Sequence, residues 1–283
     1  MRSLVFLLLL GVAFTSNAQT EKVLEPAVLE CHYELSALRD TVSRSNIGRD
    51  LMILRVGKSI SQFFSYHTYT SDSLLATSGG AEKFGNSFID ALTKGDKSTL
   101  PGVKTTSDYI YKNYPKGRIS LYCTDVALNY YRIVEDYTPQ AWEVKDSTRE
   151  VLGYKCQMAT CNYRGRSYVA WFASDIPVSD GPWKLAGLPG LILEAYDVQH
   201  HYHYTAVKLL QAGVRPVALY NTDRKYEKTD RMTYLRLMSD YLFGRRNSLE
   251  DGSAALGLDI KVAASPTSKG KVKQYDFMER DYR

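Results

Sequence analysis

The sequence of 283 residues lacks the short motifs that mark the commonest catalytic and nucleotide-binding proteins. It contains no Gly-x-Ser-x-Gly elbow, no His-Glu-x-x-His, no phosphate-binding loop and no Cys-x-x-Cys. Because a catalytic triad can assemble from distant residues, these absences do not exclude an enzyme. They leave no residue to nominate as catalytic, and they predict no cofactor.

Strong net charge and long apolar runs are missing too. The net charge is +5, and basic residues concentrate only within residues 224–246, whereas nucleic-acid-binding proteins usually have a more basic and more localised patch. Beyond the N-terminus, no apolar run reaches the roughly 20 residues that span a bilayer. We therefore expect neither a nucleic-acid partner nor a membrane-spanning protein.

The first 18 residues have the three parts of a secretory signal peptide. Arg2 supplies the positive charge, residues 4–14 are mostly apolar, and Ser16-Asn17-Ala18 offers small residues for cleavage. The first cysteine is Cys31, so no lipoprotein cysteine follows the cleavage site. We expect cleavage near Ala18 and an exported protein, periplasmic or extracellular. The alternative is an uncleaved N-terminal anchor.

Cysteine is scarce, and an even number in an exported chain is compatible with disulfide bonds. Cys156 and Cys161 would point to opposite faces of one strand, so we disfavour that pair and expect bridges between strands. Four buried thiols are the alternative, because each cysteine has apolar neighbours. The four cysteines are Cys31, Cys123, Cys156 and Cys161.

The sequence contains no internal repeat and no Pro/Ser-rich linker, so we predict one domain over residues 19–262 and a tail over residues 263–283. Tyrosine outnumbers phenylalanine 22 to 9, and alternating apolar residues recur, as in half-buried strands. The clearest prediction is a hairpin of residues 154–163 and 166–173 that turns at Arg164-Gly165. Further strands are predicted over 28–35, 119–126, 129–134, 189–197 and 202–210. The fold class is therefore α+β, with a large curved, half-barrel-like antiparallel β-sheet and one or two covering helices.

Apolar residues at helical spacing predict helices over residues 81–94 and 224–243. We expect both apolar stripes to pack on the sheet, and a mobile lid or a membrane-surface helix is the alternative. Both faces of the predicted hairpin are partly apolar, so its second face is either covered or lines a cavity. The two stripes comprise Phe84, Phe88, Ile89 and Leu92, and Met232, Leu235, Met238 and Leu242.

Residues 181–192 combine two prolines, three glycines and a tryptophan immediately before an apolar segment. Proline fixes φ and glycine permits positive φ, so this stretch predicts a rigid bend that feeds a central strand. We expect positive φ at Gly190, where valine would then harm folding. Trp183 is either an aromatic platform for a ligand or a plug over the edge of the core. The candidate binding residues are Trp171, Trp183, Leu188 and Pro189.

Histidines cluster immediately after the predicted central strand. On a strand, His201 and His203 would share a face about 6.6 Å apart, a spacing at which two imidazoles can bind one transition metal. Asp197, Glu194 or His32 would supply the third ligand. The alternative is a solvated hairpin end that binds no metal.

Four carboxylates flank the bend. Two of them across a cleft would suit acid–base chemistry, but nothing in their spacing selects a pair. Solvated loop carboxylates are the simpler interpretation. The four are Asp175, Asp180, Glu194 and Asp197.

The segment Gly187-Leu188-Pro189-Gly190-Leu191-Ile192 resembles the signature of the GLPGLI family, a group of exported Bacteroidetes proteins. The similarity extends to Gly153-Tyr154-Lys155-Cys156, Arg164-Gly165-Arg166 and Gly181-Pro182-Trp183-Lys184, and it is strongest over residues 150–200. The resemblance implies an envelope protein that works beside an outer-membrane partner protein, and it implies no established activity. The layout is also similar to that of periplasmic lipoprotein carriers.

Three functions follow as hypotheses. The first, which we favour, is non-enzymatic binding of an apolar or peptide-like ligand, or of a partner protein, on the concave side of the sheet. The second is a metal-dependent hydrolase that uses the His201 and His203 end of the sheet. The third is a scaffold with no small ligand, whose exposed tyrosine and tryptophan side chains contact partners.

Overall fold

The fold is dominated by β-strands. The structure, a computed structural model, describes residues 21–38, 47–95, 102, 104–125, 129–242 and 277–281. The predicted signal peptide lies outside these residues, as does most of the predicted tail. The strands are β1 Glu21–Glu25, β2 Ala27–Leu38, β3 Ile47–Gly57, β4 Ser61–Ser65, β5 Tyr109–Lys112, β6 Arg118–Thr124, β7 Tyr130–Asp136, β8 Glu143–Val151, β9 Tyr154–Tyr163, β10 Arg166–Ala173, β11 Leu191–Asp197, β12 Tyr202–Leu210, β13 Val217–Tyr220 and β14 Glu227–Thr229. The helices are α1 Tyr66–Leu75, α2 Gly80–Lys94 and α3 Arg231–Leu242.

Twelve of the described strands form one open sheet, in the order β14-β7-β6-β5-β4-β3-β2-β12-β11-β10-β9-β8. Neighbouring strands are antiparallel except β14 and β7, which run parallel. This arrangement confirms the predicted α+β fold class with a large antiparallel sheet. The remaining strands, β1 and β13, form a separate two-stranded ribbon.

Both faces of the middle of the sheet are covered. On one face, which we call the inner face, β2 contributes alternate residues to the main core, as the sequence pattern predicts. The opposite, outer face of β3, β4 and β5 packs against the β1–β13 ribbon. The β2 residues in the core include Leu29, Cys31, Tyr33 and Leu35, and the outer-face cluster comprises Ile53, Phe64, Tyr109 and Tyr111 with Ala218 and Tyr220 of β13.

Strands β9 and β10 form the predicted hairpin. Tyr163 pairs with Arg166, and the two turn residues Arg164 and Gly165 have φ values of 52° and 75°. Positive φ at both positions is the pattern of a type I′ turn, whose twist suits two antiparallel strands. The inner face of the hairpin is buried and its outer face is partly covered, in line with the apolar residues on both faces.

The predicted bend before β11 is fixed by backbone hydrogen bonds. The N–H of Leu191 donates to the carbonyl of Ile176, and the N–H of Ile192 donates to the carbonyl of Asp180, both at 3.0 Å. Positive φ falls at Gly187, with φ of 98°, and the expectation of positive φ at Gly190 was wrong.

Gly190 serves the bend in a different way. A Cβ atom at this position would collide with the carbonyl oxygen of Ala173 at the end of β10. Glycine is therefore required because two backbone segments approach each other closely, and φ plays no part in the requirement.

The helix predicted over residues 224–243 is present as α3 but begins seven residues later, at Arg231. α3 begins at Arg231, directly after Asp230, whose carboxylate accepts a hydrogen bond from the N–H of Thr233 at 3.0 Å. An aspartate that accepts such a bond is a favourable helix N-cap, so it sets the helix start. Residues 227–229 form β14 beside β7 instead.

α2 matches its predicted helix, but its apolar stripe does not pack on the sheet. Phe88, Ile89 and Leu92 are 42%, 63% and 54% exposed. α2 packs mainly on α1, and α1 packs on β3 and β4. The expectation was wrong because helical spacing reveals an apolar stripe without revealing which element covers it. None of the described helices is long and apolar enough to cross a bilayer.

All four cysteines are buried thiols, so the expected bridges between strands are wrong. Cys31 lies on β2, Cys123 lies on β6, and Cys156 and Cys161 lie on β9. No two of these strands are neighbours in the sheet, so no two cysteines are cross-strand partners. Burial raises the pKa of the Cys31 thiol to about 12, which disfavours its reactive thiolate form.

The described sheet ends at β14 on one side and at β8 on the other. β8 carries five charged residues, and its pairing with β9 shifts register between Val144 and Thr148. The charged residues of β8 are Glu143, Lys145, Asp146, Arg149 and Glu150.

Candidate functional site

A cavity of about 440 Å³ lies between the inner face of the sheet and α3. Residues 277–279 complete its wall, and we call residues 277–281 the strap. Well-packed protein interiors leave few voids larger than a water molecule, and this cavity has the size of small-ligand sites. Most of its lining is apolar and includes Leu35, Met52, Phe63, Ile110, Leu121 and Ile133.

One wall of the cavity is polar. The N–H and the hydroxyl of Thr105 both donate to Asp50 Oδ2, at 3.1 and 2.6 Å, so the wall is firmly held. The hydroxyls of Ser107 and Tyr234 both donate to the carbonyl of Thr124, at 3.5 and 3.4 Å. The Tyr234 bond ties α3 to the end of β6. A molecule in the cavity would meet hydroxyl and carbonyl groups here and a mostly apolar lining elsewhere, which also includes the charged residues Asp108, Asp125, Lys184, Arg231 and Glu279.

A group of charged side chains lies next to the bend, and three of its members line the cavity. The ammonium of Lys184, whose side chain is 1% exposed, lies 2.5 Å from Glu135 Oε1 and 2.6 Å from Glu279 Oε1. Arg231 of α3 lies 2.6 Å from Glu279 Oε2, and Arg164 lies 2.5 Å from Glu135 Oε2. Buried charges require partners of this kind. We call Lys184, Glu135, Glu279, Arg164, Arg231 and Asp281 the Lys184 network.

The partners in the Lys184 network keep its members charged. Burial alone would raise the pKa of Glu279, but Lys184 and Arg231 outweigh burial and lower that pKa. Burial would likewise lower the pKa of Lys184, but Glu279 and Glu135 raise it above its ordinary value. These two side chains are therefore ionised at neutral pH and hold the strap to the bend.

The turn end of the hairpin also holds the strap. The guanidinium of Arg166 donates to the carbonyl of Met278 at 2.9 Å and to the carbonyl of Phe277. The N–H of Arg280 donates to the carbonyl of Arg164 at 2.8 Å. The strap is therefore positioned by hydrogen bonds and ion pairs that reach it from the turn, the bend and α3.

Trp183 is the predicted binding residue that lines the cavity. It is 6% exposed, and its ring centroid lies 5.6 Å from that of Tyr163 and 6.2 Å from that of Tyr168. Trp183 thus closes the core and forms part of the cavity wall at the same position.

The other three predicted binding residues lie elsewhere. Leu188 is buried in the core, and Pro189 is exposed in the bend. Trp171 packs under the guanidinium of Arg149, which lies 4.1 Å from its ring centroid. Neither Leu188, Pro189 nor Trp171 lines the cavity.

The two histidines predicted to share a metal have different partners. His203 Nε2 lies 2.7 Å from Glu194 Oε1, and His201 Nδ1 lies 3.1 Å from the guanidinium of Arg280. Burial and the charge of Arg149 lower the pKa of His203. In the part of the chain that the structure describes, no group of three or more His, Cys, Asp or Glu is placed to hold a metal. The metal site stays a prediction.

Three of the four carboxylates around the bend are buried, so solvated loop carboxylates were the wrong expectation for them. Their partners come from strands elsewhere in the sequence, which local spacing does not reveal. Asp175 is exposed, as expected. The three ion pairs are Asp180 with Lys112, Glu194 with Arg149, and Asp197 with Arg166.

A second, more polar cavity of about 370 Å³ lies beside the pair of Asp180 and Lys112. The Lys112 ammonium also donates to the carbonyls of Gly181 and Leu185, at 2.7 and 3.3 Å. Burial lowers the pKa of Lys112 against the opposing effect of Asp180. The three acceptors of the Lys112 ammonium, on Asp180, Gly181 and Leu185, all lie in the bend or directly before it. Lys112 therefore fixes the bend to β5.

Sequence reasoning missed the Lys184 network and the strap. The one local sign was a lysine within a run of Gly, Pro, Trp and Leu, because lysine is rarely buried unless it is paired. Its partner Glu279 is 95 residues away and falls in the stretch that we expected to be a tail. No pattern within one segment connects the two.

A family profile described as "Protein of unknown function (Porph_ging)" matches residues 164–194. This stretch begins at the hairpin turn, includes the bend and ends at Glu194. It contains Arg164, Arg166 and Lys184, which hold the strap. No curated protein matches the chain.

Two crystal forms of PNGF-II show a partial structural similarity to this chain. The C2 form has a TM-score of 0.48 and 13% identity, over 75% of this chain and 32% of that chain. The P21 form has a TM-score of 0.48 and 12% identity, over 75% of this chain and 33% of that chain. The present chain spans about a third of the length of PNGF-II, and at this similarity PNGF-II carries no information about its activity.

Proposed function

We propose that the protein binds a small, largely apolar or peptide-like molecule in the inner-face cavity and does not convert it chemically. The observation that supports this function is the cavity itself, about 440 Å³ of space with a mainly apolar lining inside the main core. Small-molecule sites usually combine such a lining with a few placed polar groups. Hydroxyl and carbonyl groups of the polar wall would orient the bound molecule.

We further propose that the chain is a GLPGLI-family protein that forms one domain and acts outside the cytoplasm, beside an envelope partner protein. The hexapeptide at residues 187–192 supports this, and it lies within the stretch matched by the profile of unknown function. N-terminal sequencing of protein from its native host should give Gln19 as the first residue. A chain that starts at Met1 would contradict export by signal cleavage.

Two tryptophan substitutions on α3 test the cavity. Met238 lines the cavity, whereas Arg236 is exposed on the same helix. In Met238→Trp the indole fills the space, so the affinity for the neutral dye N-phenyl-1-naphthylamine should fall at least tenfold, about 1.4 kcal/mol. Arg236→Trp should bind the dye as the wild type does. Fluorescence titration measures both affinities.

Thermal unfolding of the two variants provides the control, because both must be folded at the titration temperature. Equal affinity of the wild type and Met238→Trp would show that the dye binds somewhere else. A folded wild type that binds no dye would count against an apolar site altogether.

A further inference from the structure

The strap lies in a groove whose polar side chains come from other parts of the chain. Arg164 comes from the hairpin turn, Arg166 from the start of β10, Lys184 from the bend, and Arg231 from the start of α3. We call these four residues the strap groove. No strap residue belongs to a helix or strand, so the strap is held by the groove and has no sheet ladder of its own.

The groove and the strap match in charge. Among the described residues, two carboxylates outside the strap pair with the four cationic side chains: Glu135 with Arg164, Lys184 and, at 3.6 Å, Arg231, and Asp197 with Arg166. The groove therefore has two positive charges in excess. Two carboxylates of the strap offset them, because Glu279 and Asp281 lie 2.6 and 2.7 Å from Arg231. The strap also carries one cation, Arg280, whose guanidinium lies 3.1 Å from His201 Nδ1, so its net charge is −1. Leaving buried cations without these partners would be costly.

The first two residues of the strap supply apolar contacts. Phe277 and Met278 line the inner-face cavity, and the Tyr204 hydroxyl lies 3.5 Å from the sulfur of Met278. The guanidinium of Arg166 donates hydrogen bonds to the backbone carbonyls of both residues, so the groove also binds the backbone of this dipeptide. The groove thus recognises two apolar side chains, two carbonyls and two carboxylates within five residues.

We propose that the strap groove is a peptide-binding site, occupied here by the protein's own strap, which also accepts a partner segment with two apolar residues followed by acidic residues. Clusters of Arg and Lys commonly recognise acidic motifs in this way, through charge-assisted hydrogen bonds. Because the strap belongs to the same chain, it competes at a high effective concentration, and a partner segment binds only when the strap is displaced. The proposal does not require a ligand in the cavity.

The test uses the full chain with its strap weakened by Glu279→Lys and Asp281→Lys. The probe is a fluorescent peptide with the strap sequence Phe-Met-Glu-Arg-Asp, and its binding is measured by fluorescence anisotropy. The charge-reversed chain should bind the peptide at least tenfold more tightly than the wild type, whose groove is occupied. A peptide with Gln and Asn in place of Glu and Asp should bind at least tenfold more weakly.

The matched control is Glu82→Lys with Asp146→Lys, which changes the net charge equally at two exposed positions away from the groove. This control should bind the peptide no better than the wild type. An equal gain in the control would show general charge attraction and would overturn the proposal. So would equal affinity for the acidic and amide peptides.

Two further outcomes are decisive. If the charge-reversed chain does not fold, Glu279→Gln with Asp281→Asn replaces it, and the absence of peptide binding by this folded variant rejects the site. The second outcome is that the wild-type chain forms dimers by exchanging straps while the charge-reversed chain binds no peptide. The occupant of the groove would then be a second copy of this chain, which would overturn the proposal for a partner segment.

Discussion

Gly190 lies so close to the backbone of Ala173 that no side chain fits between them. Gly190→Ala should therefore destabilise the protein by about 3 kcal/mol, because the new methyl group forces the bend away from β10. Gly153 is the matched control, since its φ of 78° is positive but nothing lies within 4 Å of its added Cβ. Gly153→Ala should cost only about 1 kcal/mol, for backbone strain. Urea unfolding measures both, and equal losses would show that Gly190 is not a site of close approach.

The sequence identified this bend as a place that needs glycine but did not identify why. Proline and glycine content marks a turn, because both residues act on the local backbone. Whether a given glycine supplies positive φ or supplies room depends on the segment packed against it. For Gly190 that segment is the end of β10, which local sequence cannot place.

Glu279 should make stability depend on pH in the acid range. Its pKa in the folded protein lies below the ordinary value of 4.5, since Lys184 and Arg231 outweigh the effect of burial. The stabilisation by its charge is therefore complete above about pH 4.5 and is lost as the pH falls through the lowered folded-state pKa.

Glu279→Gln removes this charge, so at pH 7 it should lower the free energy of unfolding by roughly 3 kcal/mol. The difference from the wild type should shrink as the pH falls below about 4.5, because the carboxylate of the unfolded wild type then takes up a proton, and it should vanish once the pH lies below the lowered pKa of the folded state. Urea unfolding across this range measures the difference. A difference that stays constant with pH would mean that the Glu279 charge does not stabilise the fold.

At the scale of elements, the sequence predicted β2, β6, β7, β9, β10, β11 and β12, and it missed β1, β3, β4, β5, β8, β13 and β14. β12 was predicted over the same residues that it occupies, and the β9–β10 hairpin was predicted with its turn. β4 and β5 were missed because they have only five and four residues and both of their faces are buried, one by the main core and one by the β1–β13 ribbon. A strand that is apolar on both faces shows no alternation.

The two amphipathic helices differ in a way that their sequences do not show. Leu235 and Met238 of α3 line the inner-face cavity, whereas Ile89 and Leu92 of α2 are exposed. Both stripes have the same helical spacing. The environments differ because the connecting loops place the two helices against different parts of the molecule. The spacing of apolar residues along a helix does not show where that helix packs.

At the scale of the whole molecule, the candidate site is made by long-range contacts. β2 pairs with β12, and the strap returns to the hairpin turn and the bend. Of the residues that line the cavity, the sequence singled out Trp183, and its binding role stays a prediction, as does binding on a concave side of the sheet. The sequence did not predict the partners of Lys184, because buried ion pairs are formed between segments that are remote in sequence.

The edge strand β8 has a consequence for the fate of the protein at high concentration. An open sheet exposes unpaired backbone groups at its last strand, which can template the addition of a strand from another molecule. β8 carries charges of both signs along its length and an irregular register with β9. Both features oppose such addition, so a sheet of this width can remain dispersed without growing edge to edge into fibrils.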